Sequence, residues 1–196
     1  MCVSEHILLK IKPAMSTVIF SCSPRMNGNS AFCASLIRNA VQDSRIFFPC
    51  REFLQTCIAC GFCDNKKGLC KFSLQEQDTV DKFYQELFRA EKAIFIAPIY
   101  FYHVPATFKA FLDRSQAWFA LAQEQKPARN VCVDLILLGA REKGDKLFEG
   151  AKLSIRYALN SIGAKLEKSL CLYGLDKHDD LACNFHKQKQ VLDFIC

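Results

Sequence analysis

Short, continuously apolar runs alternate with amphipathic segments along most of the chain. The apolar runs predict strands at residues 17–20, 46–48, 93–97, 131–138 and 166–173. Apolar positions at helical spacing predict helices at about 29–42, 78–90, 145–162 and 180–195, and a further helix begins at Pro105. Strands that alternate with helices imply a parallel sheet with helices on both faces.

Five strands in this arrangement fit a flavodoxin-like three-layer sandwich, an α/β fold whose ligand binds beyond the carboxyl ends of the strands. We place this single domain at residues 16–196. The stretch at about 50–77 is long for a connection, which indicates a functional loop. Residues 1–15 are predicted to be an extension without fixed structure. Charged residues interrupt their apolar patch and no cleavage site follows it, so they do not resemble a signal peptide.

The composition narrows the range of partners. Hydrophobic residues make up 51% of the chain and charged residues 23%, which is typical of a globular domain. No apolar run is long enough to cross a bilayer, and no basic stripe accompanies the net charge of +6. We therefore expect a cytoplasmic protein that binds neither membrane nor nucleic acid. The chain has 17 phenylalanines, and any that lie outside the core would favour a homodimer or homotetramer.

The loop after the first predicted strand has the composition of an anion site. Residues 21–30 (Ser-Cys-Ser-Pro-Arg-Met-Asn-Gly-Asn-Ser) lead into a helix, whose N-terminus attracts negative charge. Arg25 adds a forked cation, and Gly28 permits an unusual backbone conformation. The side chains that could donate hydrogen bonds are Ser23, Asn29 and Ser30, and Asn29 or Ser30 could cap the helix. A phosphate monoester suits this loop; the alternative is a turn that only caps the helix.

Aromatic residues follow the third predicted strand, at the same edge of the sheet. Tyr100, Phe101 and Tyr102 come directly after the buried run. A flavin requires an apolar, aromatic wall with a few backbone donors, and this segment could supply one. The alternative is an aromatic cluster that closes the core, and we expect that role for Tyr102.

Two motifs together resemble the NADPH-dependent FMN reductase and iron–sulfur flavoprotein families over residues 16–174. The first is Ser23-Pro24-Arg25-x-x-Gly28-Asn29-Ser30, and the second is Pro98-Ile99-Tyr100-Phe101, followed by Pro105-Ala106 and Lys109-x-Phe111-x-Asp113-Arg114. The resemblance implies that FMN is bound, with its phosphate held by Ser23, Arg25, Asn29 and Ser30. It implies ring contacts from Pro98, Ile99, Tyr100, Phe101 and the loop that starts at Gly139. In that loop the charges Arg141-Glu142-Lys143 depart from the family's smaller residues.

Four of the twelve cysteines crowd into fourteen residues as Cys57-x2-Cys60-x2-Cys63-x6-Cys70. Such spacing lets thiolates converge on one centre, and it resembles the motif of iron–sulfur flavoproteins, which carry a 4Fe–4S cluster. Zinc and free or redox-active thiols are the alternatives. The cations around the motif, which could lower thiolate pKa values or attract an acidic partner, are Arg51, Lys66, Lys67 and Lys71. The isolated cysteines Cys22, Cys132 and Cys171 are expected in the core.

These observations predict an FMN-dependent oxidoreductase. Electrons would pass from NAD(P)H or a reduced protein, through FMN and a 4Fe–4S cluster if one is present, to a quinone, flavin or protein. FMN would supply the chemistry, so no catalytic side chain is assigned. Lys109, Asp113 and Arg114 are interpreted as a structural or interface ion network. The alternative function is a non-catalytic electron carrier between protein partners.

Overall fold

The computed structural model describes residues 17–75 and 77–196, and its centre is a parallel sheet of five strands. The strands are β1 (Thr17–Ser21), β2 (Ser44–Phe47), β3 (Lys92–Pro98), β4 (Cys132–Leu138) and β5 (Lys165–Leu172). Their order across the sheet is β2-β1-β3-β4-β5, and every neighbouring pair is parallel. The predicted flavodoxin-like architecture is confirmed. The proposed extension at residues 1–15 lies outside the described residues.

Helices cover both faces of the sheet. They are α1 (Asn29–Ala40), α2 (Phe62–Asn65), α3 (Val80–Arg89), α4 (Ala106–Asp113), α5 (Gln116–Phe119), α6 (Glu149–Ile162) and α7 (Phe185–Ile195). Helices α1 and α7 bury apolar residues against one face of the sheet, which presents Ile19, Ile94 and Ile136. The opposite face packs against α3, α4, α5 and α6. Among the described residues, no helix has both the length and the apolar character needed to cross a membrane.

Aromatic side chains fill the second of these cores. Tyr84 stacks on Phe111 with ring centroids 4.4 Å apart, and its hydroxyl donates to the Phe111 carbonyl at 2.8 Å. Phe20, Phe95 and Phe108 are fully buried in the same layer. Burial of this much ring surface is a large part of the driving force for folding. Much of the phenylalanine content thus has a structural role, whereas the strongly exposed rings are Phe53, Phe101, Phe119 and Phe185.

Several predicted boundaries are wrong, and the starts of two helices are displaced for a local reason. The second strand lies at Ser44–Phe47 rather than at 46–48. Helix α6 begins at Glu149 rather than at residue 145, because i→i+3 hydrogen bonds form separate turns before it. Helix α7 begins at Phe185 rather than at residue 180, because Asn184 is extended and its side chain caps the Lys187 N–H. The loop at 50–77 includes the short helix α2.

The expectation for the isolated cysteines holds only in part. Cys22 is fully buried, as predicted. Cys132 and Cys171 are half-buried; Cys171 packs against the core at its margin, whereas the assignment of Cys132 to the core was wrong. Cys132 opens β4 and Cys171 lies on the edge strand β5, which has one neighbour in the sheet. Such positions are covered less completely than the central strands.

Candidate functional site

A cleft of about 220 Å³ opens where β1 and β3 end, at the carboxyl edge of the sheet. Its lining includes the predicted site residues Ser23, Arg25, Asn29, Ser30, Pro98, Ile99 and Tyr100. The first sequence motif ends at Ser30 and the second begins at Pro98, 68 positions later. The parallel pairing of β1 with β3 brings the two motifs together. The tertiary structure thus forms one site from two local signals.

The predicted phosphate loop, residues 21–30, ends at the N-terminus of α1. Gly28 precedes the helix with φ +147°, a conformation that side chains disfavour. Gly28 is the N-cap residue of α1, and in the described part of the chain no side-chain hydrogen bond caps this helix, so the predicted capping by Asn29 or Ser30 is wrong. Uncapped N–H groups at a helix start favour an anion, and the buried Ser30 and exposed Arg25 lie beside them. This end of the cleft is therefore suited to a phosphate.

The Asn29 side chain has partners that the sequence did not indicate. Its Nδ2 donates to the carbonyls of Lys177 at 2.7 Å and Leu175 at 3.4 Å. Its Oδ1 accepts from the Leu181 N–H at 2.9 Å. These bonds tie the start of α1 to the segment after β5, which adds Leu175, Asp176 and His178 to the cleft wall. Sequence reasoning missed that wall because no local motif marks it.

The aromatic segment forms a tight turn beside the cleft. The Tyr100 N–H donates to the His103 carbonyl at 2.7 Å, and the His103 N–H donates back at 3.1 Å. Phe101 and Tyr102 between them have φ values of +48° and +64°. This is the geometry of a type I′ turn, which favours Asn and Gly at both positions. Two bulky aromatic residues there place the backbone under strain, which is typical of functional sites.

The turn forms one wall of a second cleft, of about 230 Å³. This cleft is lined by Ile99, Phe101, Tyr102, Ala140, Arg141 and Leu147, and it shares Ile99 and Ala140 with the first. The two clefts therefore adjoin along one edge of the sheet. The first cleft has the N-terminus of α1 and the cationic side chain of Arg25, and the second has aromatic and aliphatic side chains.

Side chains from other elements hold the strained turn. Nη1 of Arg141 donates to the Tyr102 hydroxyl at 2.8 Å, and its guanidinium lies 5.0 Å from the centre of that ring. Nε2 of His103 lies 2.9 Å from Oγ of Ser154. Tyr102 is partly exposed in this arrangement, so the expectation that it closes the core was wrong. Phe101 is 99% exposed at the tip of the turn.

Gly139 lies beneath the cleft rather than on its wall. Its N–H donates to the Leu172 carbonyl at 2.8 Å, and its carbonyl accepts from the Leu175 N–H at 3.0 Å. A Cβ at this position would approach Leu147 to 2.8 Å, so glycine permits close packing. From the loop after β4, Ala140 and Arg141 line the clefts instead.

The four clustered cysteines line a separate cleft of about 430 Å³. Cys57 and Cys60 are exposed, whereas Cys63 and Cys70 are half-buried. Burial, and then the neighbouring Asp64, raise the pKa of the Cys63 thiol. Within residues 17–75 and 77–196, no three His, Cys, Asp or Glu side chains are close enough to hold a metal ion. The described loop therefore gathers the thiols around one cleft without arranging them as a ligand set for a metal cluster.

Arg114 anchors the first part of the cysteine loop, the segment at about 50–77 that carries the four clustered cysteines. Its Nη1 donates to Oδ2 of Asp78 at 2.8 Å and to the Gln55 carbonyl at 3.0 Å. The side chains of Arg114 and Asp78 are 1% and 0% exposed. Burial is the largest single influence on the pKa of Arg114 and lowers it, but the hydrogen bond to Asp78 and the nearby negative charges together outweigh burial, so the pKa is raised. Lys109 pairs with Asp113 on the exposed side of α4, so the predicted ion network divides into a buried pair and a surface pair.

The family model described as NADPH-dependent FMN reductase matches residues 15–159. The chain belongs to this family and is an NAD(P)H-dependent FMN reductase-like oxidoreductase with FMN as its cofactor. The family model does not extend to the iron–sulfur flavoprotein part of the resemblance. No curated protein sequence matches the chain.

Solved structures with the same fold include several reductases. NAD(P)H:quinone oxidoreductase from Methanothermobacter marburgensis is similar with a TM-score of 0.64 and 14% identity, over 91% of this chain and 96% of that one. An azoreductase from Bacillus anthracis str. Sterne has a TM-score of 0.61 and 15% identity, over 92% and 96%. The FMN complex of an FMN-dependent NADH-azoreductase from Bacillus anthracis str. Ames Ancestor has a TM-score of 0.62 and 12% identity, over 91% and 97%. At these identities the similarity establishes the fold alone.

Proposed function

We propose that the two adjoining clefts hold FMN, with the phosphate at the start of α1 and the flavin ring against the turn at residues 100–103. The observation that carries this proposal is that the two adjoining clefts form one groove, which is polar and positively charged at one end and apolar at the other. Its phosphate end has Arg25, Ser30 and an uncapped helix N-terminus, and its other end has Phe101 and Leu147. A molecule with a phosphate at one end and a planar ring at the other matches that arrangement.

The residues of the groove divide the work of binding. Arg25 and the first N–H groups of α1 would bind the phosphate. Ile99, Phe101 and Tyr102 would cover the ring and exclude water, and Arg141 would keep Tyr102 in place through the bond to its hydroxyl. FMN, when bound, supplies the acceptance of a hydride and the transfer of electrons. We assign no protein acid or base to the reaction.

We propose NAD(P)H as the electron donor and a quinone, an azo compound, a flavin or a protein as the acceptor. Membership of the family supports this range, as do the azoreductase and the quinone oxidoreductase that share the fold. The test is steady-state oxidation of NADPH and NADH by the FMN-loaded protein, with a quinone and an azo dye as acceptors. Turnover would support the enzyme. Reduction only by another redox protein would identify an electron carrier and contradict the proposal.

We propose a homo-oligomer on the basis of exposed apolar side chains. Phe119 and Tyr157 are 64% and 65% exposed, and both line one open cleft with a volume of about 390 Å³. Apolar surface of this kind is typical of contacts between subunits. Sedimentation of the FMN-loaded protein at micromolar concentration tests the proposal, and a monomer would contradict it.

The proposal of a 4Fe–4S cluster rests on the cysteine spacing and on the shared cleft of Cys57, Cys60, Cys63 and Cys70. The described positions do not fit a cluster, so the loop would have to draw the thiols together, and we derive no step through it. Anaerobic reconstitution followed by iron and sulfide analysis tests the proposal. About four irons per chain, lost on replacing any of the four cysteines with serine, would support it. Flavin without iron would contradict it.

A further inference from the structure

Arg51 contacts the backbone of the phosphate loop. Its Nη2 donates a hydrogen bond to the carbonyl oxygen of Arg25 at 2.7 Å. Arg51 lies in the 3₁₀ turn Pro49–Arg51, just beyond the carboxyl end of β2, and β2 is the neighbour of β1 in the sheet. The sequence grouped Arg51 with the cations around the cysteines. The fold brings it to the phosphate loop instead.

The Arg51 side chain also packs on an aromatic ring. Its guanidinium lies 4.0 Å from the centre of the Phe48 ring, and the residue is half-buried. A planar guanidinium on an aromatic face loses less conformational freedom when it binds than a lysine does. The side chain is therefore pre-arranged to fix the peptide between Arg25 and Met26. Because that peptide is planar, fixing its carbonyl also fixes the direction of the Met26 N–H.

The charges at this edge of the sheet favour an anion, because Arg25 and Arg51 lie here against a single carboxylate in the described lining of the cleft, Asp176. Among the described residues, no carboxylate forms an ion pair with Arg25 or Arg51. Arg45 and Arg114 do have such partners, Glu86 and Asp78. The Nε of Arg51 is buried, and within the described part of the chain it has no hydrogen-bond partner. Two guanidinium groups without a carboxylate partner among the described residues, one in the phosphate loop and one in the turn after β2, raise the local positive potential, which favours a phosphate.

We propose that Arg51 is a positioning residue of the phosphate loop and determines how strongly the protein prefers FMN to riboflavin. This inference rests on the proposed placement of the FMN phosphate. Arg51 acts in two ways: it holds the Arg25 peptide in place, and it adds a positive charge behind the loop. Riboflavin lacks the phosphate, so its binding gains nothing from either effect.

The experiment measures dissociation constants for FMN and riboflavin with the wild type, Arg51→Gln and Arg51→Lys, by the change in flavin absorption. We expect Arg51→Gln to weaken FMN binding about tenfold and riboflavin binding less than about twofold, since a hydrogen-bonded charge contributes at that level. The lysine of Arg51→Lys has no planar group to lie on the Phe48 ring. In that variant the ratio of the riboflavin dissociation constant to the FMN dissociation constant should fall at least about threefold. Thermal unfolding identifies the variants that fold.

Arg45→Gln is the matched control. Arg45 also lies over a phenylalanine ring, at 5.5 Å from the centre of Phe47, but its partner is Glu86 rather than the phosphate loop. It should keep the wild-type ratio of the two affinities. If a folded Arg51 variant keeps that ratio, or if both affinities fall equally, the inference is wrong. If the wild type itself binds riboflavin as tightly as FMN, the placement of the phosphate fails instead, so the two failures are distinguishable.

Discussion

Asp78 and Arg114 form a buried ion pair between the start of α3 and the end of α4. Oδ2 of Asp78 lies 2.8 Å from Nη1 of Arg114, and the other oxygen, Oδ1, accepts from the Val80 N–H at 3.0 Å. Oδ2 also accepts from the Gln55 N–H at 2.9 Å. One carboxylate therefore accepts from the first N–H of α3, neutralises a buried guanidinium and fixes the chain two residues before Cys57. The cysteine loop depends on this pair for its position.

Replacing Arg114 with methionine should destabilise the protein by about 3–5 kcal/mol, because it leaves the buried Asp78 carboxylate without its counterion. Urea unfolding of the purified variant measures the loss. Lys109→Met is the control, since the Lys109–Asp113 pair is exposed and should contribute less than about 1 kcal/mol. Equal losses in the two variants would contradict the structural role of the buried pair.

Replacing Arg25 with alanine should weaken FMN binding by about 1.5–3 kcal/mol, the range for a hydrogen bond to a charged group. Riboflavin binding should change little, because riboflavin has no phosphate for Arg25 to bind. Flavin titration measures both affinities. Arg38→Ala removes an exposed arginine from the last turn of α1 and serves as the control. Unchanged FMN affinity in Arg25→Ala would remove Arg25 from the site.

Replacing Phe101 with asparagine should stabilise the protein by about 1 kcal/mol, because asparagine tolerates a positive φ better than phenylalanine does. Little packing is lost, since the ring is 99% exposed. NADPH-dependent turnover should fall, because the ring that would cover the flavin is gone. Thermal unfolding and steady-state kinetics test the two halves. A variant that is less stable and fully active would contradict both.

Stability should decline at alkaline pH because of buried thiols. Burial raises the pKa of Cys33 to about 12 and of Cys50 to about 11, from an ordinary value of 9.0. The unfolded chain therefore loses these protons before the native state does. The stabilisation is complete below about pH 9 and is lost as the pH rises through 11 to 12, by about 1 kcal/mol per thiol already at pH 10.

Urea midpoints between pH 7 and pH 10 measure this decline, with Cys33→Ala as the comparison. The variant lacks one of the two thiols, so its unfolding free energy should fall less steeply with pH, whatever its stability at pH 7. An identical slope in the variant and the wild type would show that Cys33 does not contribute.

The sequence predicted the architecture well because the relevant signals are local. Residues 93–97 are continuously apolar, as a strand buried on both faces must be, and they lie within β3. The start of α7 was misplaced at residue 180, although the N-capping residue Asn184 is visible in the sequence. The reason is that turns and helices share the same polar residues, and only the backbone conformation separates them.

The sequence by itself determined the phosphate loop, the aromatic segment and the cysteine spacing, because each is a contiguous motif next to an apolar strand. Only the tertiary structure decided what completes them. Asn29 binds the segment after β5, and Arg51 reaches Arg25 from the end of β2. Phe101 and Tyr102 adopt a strained turn with Arg141 bonded to the Tyr102 hydroxyl. These contacts join residues far apart in the chain, which the pairing of the strands brings together. No local pattern of side chains therefore encodes them.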